Sequence, residues 1–410
     1  MMERLPKGFE DNMLSLLGEA AQAFFEAMNQ PPVVSVRLNK RKPGAEFPKC
    51  RPVKWCESGF YLNERPEFIL DPLLHAGAYY VQDSSSMIYE TVAKNLSERM
   101  EGRGHLRVLD MCAAPGGKTT AMINGMEDGT EFTANEYSPK RAAILRENLA
   151  KWGYPKVRIF NKDTSFFAES EEKYDIVAVD APCSGEGMMR KEPMAINQWS
   201  PELIKECSAL QKKILINAEK CVTSGGYLIY STCTFNREEN EENAEFIQKE
   251  LGLKPVELDF PSEWGIIRGI GTELPVYRFM PHRTEGEGLF LAVFRKEDSE
   301  PVENSKRLPG LNVSQLKKGK KNKSKKRENS PDPAAEDVLR TDFQDDSIPK
   351  VEVDYETVLR YLRRESFCLP DSCPKGLIIV TYKNLPLGLA KNIGSRVNNL
   401  YPKNWRILRS

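Results

Sequence analysis

The chain has 410 residues, 40% hydrophobic and 29% charged, with 59 Lys and Arg balancing 59 Asp and Glu. That length excludes a peptide or a lone small module and predicts two or three domains. The composition excludes a disordered polymer and, with no apolar run near the ~20 residues a spanning helix needs, a membrane protein. Nine cysteines at irregular spacing argue against a disulfide framework, and the opening MMERLPKGFE lacks a secretory pattern, so the expected compartment is the cytoplasm.

Phe9, Met13, Leu16, Leu17, Ala20, Phe24 and Met28 recur at helical spacing and predict one helix over about 10–28, closed by Pro31-Pro32 and followed by a strand in PVVSVRL. A small N-terminal α/β module, 1–100, follows from this. Its stretch from Arg37 to Lys54 holds seven basic residues, Arg37, Lys40, Arg41, Lys42, Lys49, Arg51 and Lys54, against Glu46 alone. Such a cluster suits a polyanion, because cations that neutralise phosphates release counterions; solvated surface charge is the plainer alternative.

Over 101–297 short apolar runs alternate with helices. LRVLDM is followed by a helix from about Lys118, EFTANE by one from Pro139 to Lys151, and VRIF and YDIVAVD by one from Pro201 to Val222 before GYLIYS and LFLAVF. The alternation predicts βαβ units in a doubly wound parallel sheet of Rossmann-like type. On the long helix Cys207 and Cys221 share an apolar stripe with Leu203, Leu210, Ile214 and Ala218 and are expected in the core. Residues 298–348 read as a flexible linker, with eight basic residues among Lys317 to Arg327. Residues 349–410 return to order as a β-rich module: a helix near Tyr355 to Arg364, then strands in GLIIVTY, NLPLGLA and NWRIL, with seven basic residues and no acid from Lys375 to Ser410. Net charge is about −1, −6 and +7 over 1–100, 101–297 and 298–410, so the overall neutrality is a cancellation.

Candidate chemistry gathers at strand ends. VLDMCAAPGGKT carries the first strand through Asp110 into a Gly-rich turn and a helix, where free N–H groups and a positive dipole end favour a nucleotide-like cofactor. It is neither a Walker loop nor a GxGxxG fingerprint. Glu136 ends the second strand, Asp163 follows the third and Asp180 closes the fourth, supplying acceptors for ribose hydroxyls, an adenine amine and an ammonium; the set fits S-adenosyl-L-methionine. Cys183, in DAPCSGEG, and Cys233, in YSTCTF, follow neighbouring strands and are expected over one cleft. A thiolate added to carbon 6 of cytosine turns carbon 5 into a nucleophile able to attack a sulfonium methyl, and a second thiol can assist release. Residue chemistry leaves open which cysteine attacks. Cys50, Cys56, Cys368 and Cys373 lack zinc-ligand spacing, so no metal is expected, and none of His75, His105 and His282 sits in a thiol-hydrolase signature.

DMCAAPGGKT, DAPCSGEGMMRK, STCTFNREENE and AYYVQDSSSM together resemble the RNA 5-methylcytosine methyltransferases of the Sun family, and within it the bacterial RsmF-like ribosomal RNA enzymes. The resemblance implies a loop for S-adenosyl-L-methionine in Cys112, Ala113, Ala114, Pro115, Gly116, Gly117 and Lys118, with Glu136, Asp163 and Asp180 as further ligands. It implies Cys233 as nucleophile and Cys183 in product release, with Asp180 also touching the base. It implies a C-terminal PUA-like RNA-binding module, an N-terminal RNA-binding module, and ribosomal RNA or a ribosomal subunit as partner. A transfer RNA cytosine methyltransferase shares these motifs. A non-catalytic ribosome-assembly factor, and DNA methylation with Cys183 as nucleophile, fit less well.

Overall fold

The computed structural model describes residues 5–297, 311–312, 334 and 336–408. The N-terminal segment begins with two helices, α1 (Lys7–Leu17) and α2 (Ala21–Met28), where the periodicity predicted one; Gly18, at φ 54°, ends α1 in a backbone conformation that favours glycine. Phe9, Met13, Phe24 and Met28 still form one buried stripe, packed on Trp199, Phe235 and Met280 of the central domain. Strands β1 (Ser35–Leu38), β2 (Arg51–Val53), β3 (Cys56–Tyr61) and β4 (Tyr79–Val81) then form an antiparallel sheet in the order β2-β3-β1-β4. A short helix α3 (Pro72–His75) precedes β4, and α4 (Ile88–Arg99) leads into the central domain.

The central sheet is built on five parallel strands: β5 (Arg107–Asp110), β6 (Glu131–Asn135), β7 (Val157–Phe160), β8 (Tyr174–Asp180) and β9 (Val222–Thr232). Their side chains are buried on both faces, as expected for near-continuous Val, Ile and Leu runs in a parallel sheet. Spatial order is β7-β6-β5-β8-β9, so the chain reverses direction of growth between β5 and β8, the place where α/β sheets open a crevice at their carboxyl ends. Helix α5 (Gly117–Gly125) follows β5 and α6 (Pro139–Trp152) follows β6. Pro139 starts α6 and Gly153, at φ 79°, stops it. The sheet is mixed rather than wholly parallel, because LFLAVF (Leu289–Arg295) runs antiparallel to β9 and pairs in turn with Tyr277–Phe279.

The long helix spans Pro201–Cys221, opened by Ser200, whose hydroxyl accepts from the Leu203 N–H. Its buried face is Ile204, Ser208, Gln211, Ile214, Leu215, Ala218 and Cys221. Cys221 is core as expected. Cys207 is only half-buried and Leu210 is exposed, so the predicted stripe is wrong over the helix's first half. There the inward positions are the polar Ser208 and Gln211, which serve the loops beneath, and a hydrophobic periodicity cannot register them.

The C-terminal sheet comprises Lys350–Glu352, Gly376–Tyr382, Leu385–Asn392 and Val397–Asn399, with a helix at Tyr355–Leu362. NWRIL is not a strand. It holds a single 3-10 turn at Lys403–Trp405, and Trp405 and Ile407 are buried as anchors without sheet pairing. The linker reading also overreaches: Val338, Leu339 and Ile348 are buried and the Thr341 N–H donates to the Gly153 carbonyl at 2.9 Å. Lys317 to Arg327 lies outside the described residues. One hydrophobic cluster runs from Val36 through Val108 and Trp152 to Tyr361 and Tyr401, so all three modules share a core.

Candidate active site

Because β5 to β9 are parallel, Asp110, Glu136, Asp163, Asp180 and Cys233 all emerge at one edge of the sheet. The loop after β5 is tied down by backbone bonds from Met111 to the Ala178 carbonyl (2.9 Å) and from Ala113 to the Asn135 carbonyl (2.8 Å). Cys112 is half-buried, Ala113 and Ala114 are buried, and Pro115 is exposed. Gly116, at φ 110°, turns the chain into α5. Asp110 accepts from the Thr119 hydroxyl at 2.6 Å through one oxygen; its other oxygen is buried with no partner among the described residues. Burial pushes its pKa up to about 7. Burial also pushes the Cys112 thiol far above its ordinary range.

Glu136 is buried, accepting from the Ser138 N–H (2.8 Å) and facing Arg141 (3.2 Å). Asp163 is exposed, held below the usual carboxylate range by hydrogen bonds from Ser165. The Lys118 ammonium lies 2.8 Å from Asp180 Oδ2. Burial opposes that charge, but Asp180 first, then Cys233 and Asp83, hold the lysine above its ordinary pKa. Asp180 Oδ1 accepts from the Ser231 hydroxyl at 2.7 Å, which is 2.8 Å from the Tyr89 hydroxyl.

The two turn cysteines meet, with Cys183 Sγ 3.3 Å from Cys233 Sγ. Both residues are half-buried. The proton shared with Cys233, followed by burial, drives the Cys183 thiol well above its ordinary pKa. Gly187 lets the turns close: its N–H donates to the Cys233 carbonyl at 2.8 Å, and an added Cβ would lie 2.5 Å from that oxygen. Residues that sequence reasoning did not single out complete the frame. Glu186 and Glu239, inside the two cysteine motifs, are buried and bonded across the turns. Asp83, of the QDSSSM stretch, accepts from the Glu287 N–H (2.9 Å), while Arg190 grips Glu287 (2.8 Å) and the Gly286 carbonyl (3.0 Å). The signal for the glutamates was their place in the motifs; their partners lie too far off in the chain to be read from it.

The N-terminal basic cluster is largely consumed by the protein itself, which corrects its reading as an RNA-facing patch. Arg37 is fully buried: Nη1 donates to the Thr120 carbonyl (3.1 Å), Nη2 to the Thr120 hydroxyl (2.6 Å) and Gly117 carbonyl (3.2 Å), and Nε to Gln82 (2.9 Å). It braces the first turn of α5, directly behind the Gly-rich loop. Lys42 is also buried, on the Ala76 (3.0 Å) and Lys151 (2.7 Å) carbonyls. Lys40 pairs with Glu90, Arg41 with Asp128 and Arg51 with Glu285, and Lys54 donates to the Glu263 carbonyl.

The model of the 16S rRNA methyltransferase RsmB/F matches residues 94–295, that of the N-terminal domain of 16S rRNA methyltransferase RsmF residues 5–84, and that of the RsmF PUA domain residues 348–407. Ribosomal RNA small subunit methyltransferase F of Vibrio cholerae is 34% identical over 328 residues, covering 74% of this chain and 67% of that protein. The chain belongs to the 16S rRNA methyltransferase RsmB/F family. The Pectobacterium carotovorum protein of the same name is 32% identical over 316 residues, 72% of this chain and 64% of its own, so this RsmB/F family member spans somewhat under two thirds of that relative. A solved methyltransferase homolog from Pyrococcus horikoshii is 28% identical with TM-score 0.60, covering 71% of this chain and 95% of that one. NSun6 from the same organism, solved with SFG, shares the fold at 21% identity and TM-score 0.59, covering 72% and 99%.

Proposed function

We propose that this protein methylates carbon 5 of a cytosine in ribosomal RNA, using S-adenosyl-L-methionine and a covalent adduct on Cys233. The observation that carries the reading is the pair of thiols 3.3 Å apart, beside Asp180 and Lys118 at the sheet's carboxyl edge. The cofactor site fits its ligand: a buried, unpartnered Asp110 oxygen beside a turn without Cβ atoms suits a cationic group that needs close backbone approach. Cys112 to Lys118, Asp110, Glu136, Asp163 and Asp180 would hold it. When bound it supplies an electrophilic methyl group.

Cys233 Sγ adds to carbon 6, and the ring's electron pair becomes available at carbon 5 for the methyl. A base then takes the carbon 5 proton, and the electron pair left behind re-forms the 5,6 double bond and expels the Cys233 thiolate; Cys183 Sγ, 3.3 Å from Cys233 Sγ, is the neighbour that would take that proton in its thiolate form. Lys118 and Asp180, an ion pair of 2.8 Å, offer a donor and an acceptor to the ring's polar edge. The base must be unpaired or flipped out to enter the cleft. The C-terminal module, whose basic residues from Lys375 to Arg406 are exposed, would hold surrounding RNA, and the whole would act in the cytoplasm on ribosomal RNA or a ribosomal subunit.

Cys233→Ala is expected to abolish methylation and covalent trapping of RNA, and Cys183→Ala to accumulate a protein–RNA adduct on denaturing gels. The reverse pattern would exchange the two roles. Bisulfite sequencing of RNA from a deletion strain identifies the substrate: a lost mark in transfer RNA, with every ribosomal position intact, would replace ribosomal RNA by transfer RNA.

A further inference from the structure

Each cysteine turn carries a buried glutamate that is bonded to the opposite turn. Glu186, in the turn of Cys183, accepts from the Thr234 hydroxyl (2.5 Å), the Phe235 N–H (2.6 Å) and the Asn236 N–H (2.9 Å), all just beyond Cys233, and from Trp199 Nε1 (2.9 Å). Glu239, beyond Cys233, accepts from the N–H of Ser184 (3.0 Å), the residue next to Cys183, and from Gln211 (2.7 Å) and Asn236 (2.8 Å). Both are 0% exposed. Buried carboxylates demand several donors, and these find them in backbone N–H groups that move with the thiols. A glutamate bonded within its own turn would stiffen one loop; this crossing fixes one loop against the other.

We propose that Glu186 and Glu239 are positioning residues that divide the work of the two thiols, Glu186 holding Cys233 for attack and Glu239 holding Cys183 for release. The inference rests on the covalent mechanism above and deepens it. A merely structural pair of glutamates would have no reason to affect two chemical steps differently.

The test measures single-turnover formation and decay of the protein–RNA adduct in the full chain for Glu186→Gln and Glu239→Gln, with cofactor binding and thermal melting as checks on folding. Glu186→Gln is expected to slow adduct formation by about tenfold with decay unchanged, the scale of a sub-ångström misplacement. Glu239→Gln is expected to leave formation within about twofold and slow decay by about tenfold, so that adduct accumulates as for Cys183→Ala. Glu186→Ala and Glu239→Ala should move the same steps further; if they fail to fold, the isosteric variants decide. Equal slowing of both steps by both variants, or no slowing, overturns the proposal while leaving the mechanism intact. Absence of a Cys233-dependent adduct in the unaltered protein would instead overturn the mechanism and this inference with it.

Discussion

Arg37 to Lys54 and Lys375 to Ser410 each hold seven basic residues, and by charge alone both suit a phosphate backbone. In the first stretch Arg37 and Lys42 are buried, and most of the others have partners within the protein. In the second, Lys375, Lys383, Lys391, Arg396, Lys403 and Arg406 are all exposed, and none pairs with an acid among the described residues. The difference lies in what each stretch is attached to. Arg37 lies on the interior strand β1 and faces α5 and Trp152, so this long cation meets carbonyl oxygens; apart from Lys391 the C-terminal cations sit in turns and loops that present them to water. Charge density is a property of composition, whereas availability to a ligand depends on the partners already engaged.

The contrast is sharpest at Arg37. Arg37→Met removes the buried donors to Gln82 and to the Gly117 and Thr120 carbonyls, and is expected to cost about 3 kcal/mol in denaturant unfolding and to weaken S-adenosyl-L-methionine binding measured by calorimetry. Unchanged cofactor affinity would show that the brace behind the loop has no bearing on the ligand.

A second probe is pH. Burial lowers Lys42 from 10.5 to about 7. Since the unfolded chain binds its proton more tightly, the penalty is full below pH 7 and is relieved as pH rises toward 10.5, so this group makes stability increase across that window. Lys42→Met should remove that increase in melts at pH 6.5 to 9.5, and an identical slope in the variant would mean that Lys42 is not desolvated.

The smallest effect on the fold is expected at the other cluster. Lys375→Ala, Lys391→Ala and Arg396→Ala combined should leave the melting temperature unchanged. The slope of log affinity for RNA against log salt should fall by roughly 2 if all three touch phosphates. An unaltered slope would remove this surface from the RNA path and erase the functional half of the comparison.

Much of the site was legible before any coordinates. Short apolar runs ending in Asp110, Asn135, Phe160, Asp180 and Thr232 mark strands buried on both faces, and parallel pairing brings their ends to one edge. Gly116-Gly117 announces a turn into a helix, and Cys183 and Cys233 follow neighbouring strands in small, polar turns, so their shared cleft is a consequence of topology. The polar inward face of the long helix and the docked segment around Val338 turn on contacts with distant segments, and the break at Gly18 on one residue's backbone angle, none of which hydrophobic periodicity can report.

Local pattern by itself determined the elements, their order and the residue types at the strand ends, because backbone propensity, turn chemistry and hydrophobic alternation act over a few neighbouring positions. Tertiary structure alone decided which polar groups meet: Arg37 with Thr120, Glu186 with the turn after Cys233, Glu239 with Ser184, and the two sulfur atoms at 3.3 Å. Such pairs join points far apart in the chain, and each buried charge must find its donors or acceptors within the assembled interior, where the direction of a side chain depends on every element packed around it.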